Sequence, residues 1–96
     1  MAEYIFLMHD DSAADDNTWE TYLHRLRRDG LFQGGSAIGD GVCMRKSGAP
    51  AALTTHLAGF IRVNAGSLDH AKSLLKGNPV FEAGGTVEIR ELPRTD

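Results

Sequence analysis

The residues of this chain best suited to proton transfer and anion binding are its histidines and the charged residues near them. His9 is followed by Asp10 and Asp11. An imidazole takes up and releases protons near neutral pH, and a carboxylate beside it can fix its orientation. His9 is therefore a candidate general acid/base, with Asp10 or Asp11 as the orienting group. That geometry requires the following loop to turn back, because adjacent strand residues point to opposite faces. The plainer alternative is a solvated loop leading into a helix. His24 lies beside an apolar helical stripe rather than in its centre, so it either faces a cleft as a second acid/base candidate or lies on a flank in water. Glu88 and Arg90 alternate with Val87 and Ile89 and so share one face of a strand. An arginine placed there can grip a carboxylate with two parallel hydrogen bonds, or it can form an edge-strand ion pair that discourages aggregation.

Other chemistry is poorly supported. His56 and His70 bring the histidines to four, but no His-x-x-x-His pair or short ligand cluster is present, so no metal site is expected. Cys43 is the only cysteine, which excludes an intrachain disulfide and a cysteine-based zinc site. Its neighbours Val42 and Met44 suit a packing thiol rather than a nucleophile. The pairs Gly34-Gly35 and Gly84-Gly85 lack the Gly-x-x-x-x-Gly-Lys pattern of a phosphate loop. No cofactor is expected.

The elements that must position these residues follow from patterning. Tyr4-Ile5-Phe6-Leu7-Met8 is an apolar run of strand length, rich in aromatic and branched side chains. Asn17 or Thr18 can cap a helix, Asn17 with Glu20 resembling a capping box, and Trp19, Tyr22, Leu23 and Leu26 then build one apolar helical stripe. Arg25, Arg27 and Arg28 complement the dipole of its last turns, and Gly30 suits a left-handed C-terminal cap. A strand interrupted by Gly34-Gly35 is expected over residues 31–38 and a short one over 42–45, with residues 34–56 the least regular part. A second buried strand spans 57–63. Ser67 caps a helix with Leu68, Ala71, Leu74 and Leu75 on its apolar face, Gly77-Asn78-Pro79 stops it, and a last strand covers 87–92.

Ninety-six residues, 42% apolar and 24% charged, make one globular domain, 1–96, too apolar to be disordered. The net charge of −3 argues against a nucleic-acid groove. No apolar run approaches the roughly 20 residues that cross a bilayer, and residues 1–4 carry no basic leader pattern. A cytoplasmic protein is expected, with neither nucleic acid nor membrane as partner. The order β-α-β-β-α-β gives an α+β fold: a ferredoxin-like antiparallel sheet of four strands with both helices on one face. Its central strands are apolar at nearly every position, so the face without helices also needs cover. A large exposed apolar face is rare on a monomer, and a twofold homodimer stacking two sheets face to face is the simplest solution. Glu88 and Arg90 would then point into the space between the sheets.

The order and spacing of Tyr4-Ile5-Phe6-Leu7-Met8, Trp19-x-x-Tyr22, Gly30-Leu31, Gly59-Phe60, Ser67-Leu68-Asp69-His70-Ala71 and Val87-Glu88-Ile89-Arg90 resemble the YCII-related, or DGPF-domain, family. The resemblance covers most of the chain. It implies a dimeric α+β barrel enclosing a small cavity, with a helix histidine near His24. In the wider superfamily it implies small-molecule enzymes built around a His–Asp pair. The Asp-Gly-Pro-Phe segment is absent, and Asn78-Pro79 stands where many members have Asp-Pro, so Asn78 becomes a substrate-side candidate that cannot act as a base. Two functions stand side by side: a small-molecule enzyme with His9 or His24 as acid/base, Asp10 as orienting group and Arg90 clamping a small organic acid, or a non-catalytic dimeric ligand-binding module that has lost the family's Asp.

Overall fold

The computed structural model describes residues 1–14 and 16–94; Asp15, in the solvated loop that the sequence predicts, and Thr95 and Asp96, where the sequence after Pro93 predicts a loose tail, lie outside the described residues. Four strands, β1 (Ala2–His9), β2 (Phe32–Ala37), β3 (Leu57–Ala65) and β4 (Val87–Leu92), form one antiparallel sheet in the order β2-β3-β1-β4. Three helices, α1 (Trp19–Arg28), α2 (Leu68–Ser73) and α3 (Pro79–Glu82), complete an α+β fold compatible with the ferredoxin-like plan.

Strict alternation along the central strands divides the sheet into two faces. Tyr4, Phe6 and Met8 of β1 and Ile61, Val63 and Ala65 of β3 are buried. They pack with Tyr22 and Leu26 of α1, Ala71 of α2, Leu75 in the turn after α2, and Val80 of α3 in a single core. Trp19 and Leu23 close over it from the side, as the apolar stripe predicts. Phe6 is fully buried, a placement that stabilises the fold by roughly 1.5–3 kcal/mol relative to exposure. On β4, Val87 and Ile89 join this core, and the opposite side of the strand carries Glu88 and Arg90. The second face, which no helix covers, presents half-buried Ile5, Leu7 and Phe60 between two ion pairs, Arg62–Glu3 (2.6 Å) and Arg90–Glu88 (3.1 Å).

The helix ends show how local chemistry sets these boundaries. Gly30 takes φ +73°, its N–H bonds the carbonyl of Arg27 and that of Leu31 the carbonyl of Leu26, both at 3.0 Å. This is the paired closure that a left-handed glycine permits. At the start of α1 a single 3₁₀ turn, Asp16–Thr18, leads in, and Thr18, one of the two expected caps, holds the N-cap with helical backbone angles in place of an Asn17–Glu20 box. Ser67 caps α2 as expected, its hydroxyl accepting from the N–H of His70 at 3.1 Å. Leu68, expected on the apolar face, is exposed at the first position of α2.

Two further differences matter. The helix α2 ends at Ser73, before the expected Gly77-Asn78-Pro79 stop, and Pro79 is instead the first residue of α3, where its missing N–H costs nothing. Residues 42–45 form no strand. The whole connection 38–56 between β2 and β3 is without regular structure, and every residue in it except Cys43 is exposed. The segment supplies no alternation of core-facing residues to pair against β2 or β3.

Candidate functional site

The C-terminal end of β1 gathers the chemically versatile groups. The backbone N–H of His9 donates to the carbonyl of Thr86 (2.9 Å), and that of Asp10 donates to the carbonyl of His56 (2.7 Å). These two bonds tie the starts of β4 and β3 to the end of β1. The β1–β3 register shifts between Met8 and His9, so Met8 faces Gly59 while His9 faces Leu57 and Ala58 is the extra residue. Such a bulge re-aims the side chains around it.

His9 itself continues the alternation of Ile5 and Leu7 and so lies on the uncovered face with Glu88. Its Nε2 lies 3.3 Å from Oε1 of Glu88, and the two side chains are 21% and 37% exposed. The second carboxylate oxygen of Glu88 accepts from Arg90 at 3.1 Å. The hydrogen bond from His9, and next that from Arg90, hold the Glu88 carboxyl below the usual carboxylate range. His56 stacks edge-on against His9, ring centres 4.7 Å apart at 63°. A line of four side chains results: His56, His9, Glu88, Arg90.

Asp11 is occupied elsewhere. Its two carboxylate oxygens accept from the N–H (2.9 Å) and hydroxyl (2.7 Å) of Thr86. The hydroxyl bond, then the backbone bond, pulls its carboxyl below the ordinary value. Asp11 thus clamps the loop after β1 to the start of β4, and the group that meets His9 is Glu88, not a neighbouring aspartate.

A pocket of about 570 Å³ opens where α1 and residues 10–14 stand off the end of the sheet. Met8, His9, Trp19, Leu23, Phe60 and Val80 are among its walls, and Asp10 also belongs to the lining. Its size suits a small organic molecule. Gly35 forms part of its rim at β2: a Cβ there would lie 2.5 Å from the Phe60 carbonyl oxygen and 2.8 Å from Ile61 Cγ2, so the close approach of β2 to β3 requires glycine.

The remaining candidates lie apart from this group. His24 is exposed on α1 and lines a separate hollow with Thr21, Arg25 and Arg28. Asn78 is fully buried, and its Oδ1 accepts from the N–H groups of Val80 (3.0 Å) and Phe81 (3.1 Å). Its task is to cap α3, and it takes no part in the pocket wall. His70 Nδ1 accepts from the N–H of Gly66 at 2.9 Å, a local turn contact. Among the described residues no group of three or more His, Cys, Asp or Glu side chains is placed to hold a metal ion, and no helix is long and apolar enough to cross a membrane.

Sequence reasoning placed Glu88 and Arg90 on one strand face but did not connect them to His9. The link depends on the β1–β4 register, which no local pattern encodes. His56 was likewise missed as a neighbour of His9. No family model matches the chain, and no curated protein does.

Proposed function

We propose that this chain is a YCII-related protein of the cytoplasm that pairs as a homodimer in which each copy's helix-free sheet face is covered by the other, and that it catalyses proton transfer on a small organic acid. The observation that carries this reading is a histidine nitrogen within reach of a carboxylate at an apolar pocket: His9 Nε2 lies 3.3 Å from Glu88 Oε1, and His9 lines the pocket of about 570 Å³. With the Nε2 hydrogen donated to Glu88, Nδ1 keeps its lone pair and can accept a proton from the substrate. The resulting imidazolium is stabilised by the same carboxylate and can return the proton at another atom. Isomerisation or elimination fits so small a set of groups.

Arg90 stands outside the pocket lining, on the uncovered face beside Glu88, and is the anion clamp for a substrate that reaches past His9 onto that face. It is 68% exposed and spends one nitrogen on Glu88, leaving donors for a substrate carboxylate. Asp10 stays at the pocket wall as a polar lining residue, with Glu88 in the orienting role. The presence of Asn78 in place of Asp does not weigh against catalysis, because that side chain is buried in a capping task.

The test is a thermal-shift screen against small carboxylic and phenolic acids. A ligand at a hundredfold excess over its dissociation constant stabilises the fold by about 2.7 kcal/mol. His9→Ala and Arg90→Ala should abolish the shift and His24→Ala should keep it. A hit that survives both of the first two substitutions overturns the assignment.

A further inference from the structure

The connection 38–56 is far longer than the roughly 12–15 residues beyond which structureless loops are uncommon. It carries apolar side chains into water: Val42 is 77% and Met44 86% exposed, with Leu53 and Ile38 also uncovered. Its ends are fastened, Ile38 N–H to the Ala58 carbonyl and the His56 carbonyl to Asp10 N–H.

Size gives an independent measure. A compact domain of this length has a radius of gyration near 12.5 Å, whereas this chain measures 14.8 Å. Its accessible surface is 6611 Å², against about 5,400 Å² expected for a folded monomer of its mass. The excess of about 1,200 Å² exceeds the roughly 800 Å² that each partner contributes to a standard stable interface. Charge points the same way. The segment holds Arg45 and Lys46 against Asp40, whereas the chain as a whole carries −3. A slightly basic segment therefore belongs to an otherwise acidic chain.

We infer that residues 38–56 are an arm that each copy of the chain lays across the uncovered sheet face of a second copy, seating Val42 and Met44 against Ile5, Leu7 and Phe60. That face is also where His9, Glu88 and Arg90 sit, so the partner's arm roofs the proton-transfer site and excludes water from it. The site is incomplete in a single copy. This inference rests on the homodimer in the proposed function and adds what joins the two copies.

The lone Cys43, between Val42 and Met44, supplies the probe. A benzophenone maleimide on Cys43, photolysed in an equal mixture of ¹⁵N-labelled and unlabelled protein, should give mixed-isotope cross-links to peptides containing Ile5, Leu7 or Phe60. Cross-links confined to the labelled copy's own chain, or none between chains in a sample that sediments as a dimer, overturn the arm. In parallel, Val42→Asp with Met44→Asp should raise the dimer dissociation constant at least tenfold. A dimer unchanged within twofold overturns the arm and leaves sheet-to-sheet pairing standing. A wild-type chain that sediments as a monomer at micromolar concentration removes the dimer and the arm together.

Discussion

His9 and Glu88 meet diagonally across two strands: in the β1–β4 register it is Leu7 that faces Glu88, and His9 reaches the carboxylate from two residues further along the same face. Diagonal neighbours in an antiparallel pair lie within reach of long side chains. The contact thus depends on register alone, and the acid that orients the histidine comes from the other end of the chain.

Acid stability follows from this pair. Glu88 and Asp11 both have carboxyls held below their ordinary values in the folded state. Groups lowered on folding stabilise the protein above their unfolded pKa, and that contribution is lost as pH falls through the folded value. The melting temperature should therefore drop below about pH 4.5, and less steeply in Glu88→Gln and in Asp11→Asn. Melting curves from neutral pH to pH 2 measure this; parallel acid limbs in all three proteins would sink it.

Tyr22 predicts the behaviour in alkali. Burial pushes its hydroxyl up to about 12, and that hydroxyl donates to the Leu74 carbonyl at 2.7 Å. A group raised on folding contributes fully below its unfolded value, near 10 for a phenol, and the contribution fades as pH climbs through the folded one. Stability should decline between about pH 10 and 12. Tyr22→Phe should flatten that decline and cost about 1 kcal/mol at neutral pH from the lost hydrogen bond. Denaturant melts at pH 7 and pH 11 give both numbers, and equal pH slopes in the two proteins would contradict the assignment.

Asn78 separates scaffold from site. Asn78→Ala leaves the N–H groups of Val80 and Phe81 without their acceptor. The expected loss is about 1 kcal/mol, within the 0.5–2 kcal/mol typical of removing an N-cap. Binding of any carboxylic-acid ligand should be unchanged when compared below the melting transition. A variant of full stability, or one that loses the ligand while folded, would return Asn78 to the list of binding residues.

Gly35 tests the pocket rim. Gly35→Ala puts a methyl into the Phe60 carbonyl and Ile61, and overpacking of this kind costs typically 1–3 kcal/mol. Because Gly35 lines the pocket, ligand affinity should fall as well. Urea midpoints and calorimetric titration report the two effects separately.

The parts of this molecule that were legible from residue order are those where one local rule acts alone. Alternation in β1 and β3, the stripe Trp19-Tyr22-Leu23-Leu26, the Ser67 cap and the Gly30 closure each follow from a few neighbouring residues. Legibility failed where distant segments decide. Asp11 is next but one to His9 in the chain, yet Thr86 claims it, and Glu88 replaces it through strand register. Asn78-Pro79 carries the signals of a helix stop and of a helix start alike; only the burial of Val80 in the core selects the second. Residues 38–56 have no alternation to obey within one copy, so no strand forms at Val42 or Met44.

The most direct measurement follows the four imidazoles by long-range ¹H–¹⁵N correlation while a small carboxylic-acid ligand from the screen is titrated in. The account predicts that the His9 ring resonances move with saturation, with His56 following through its edge contact, while His24 and His70 stay fixed. Movement of His24 with a silent His9 would place the ligand on the outer side of α1 and contradict the assignment of His9, Glu88 and Arg90 as the working site.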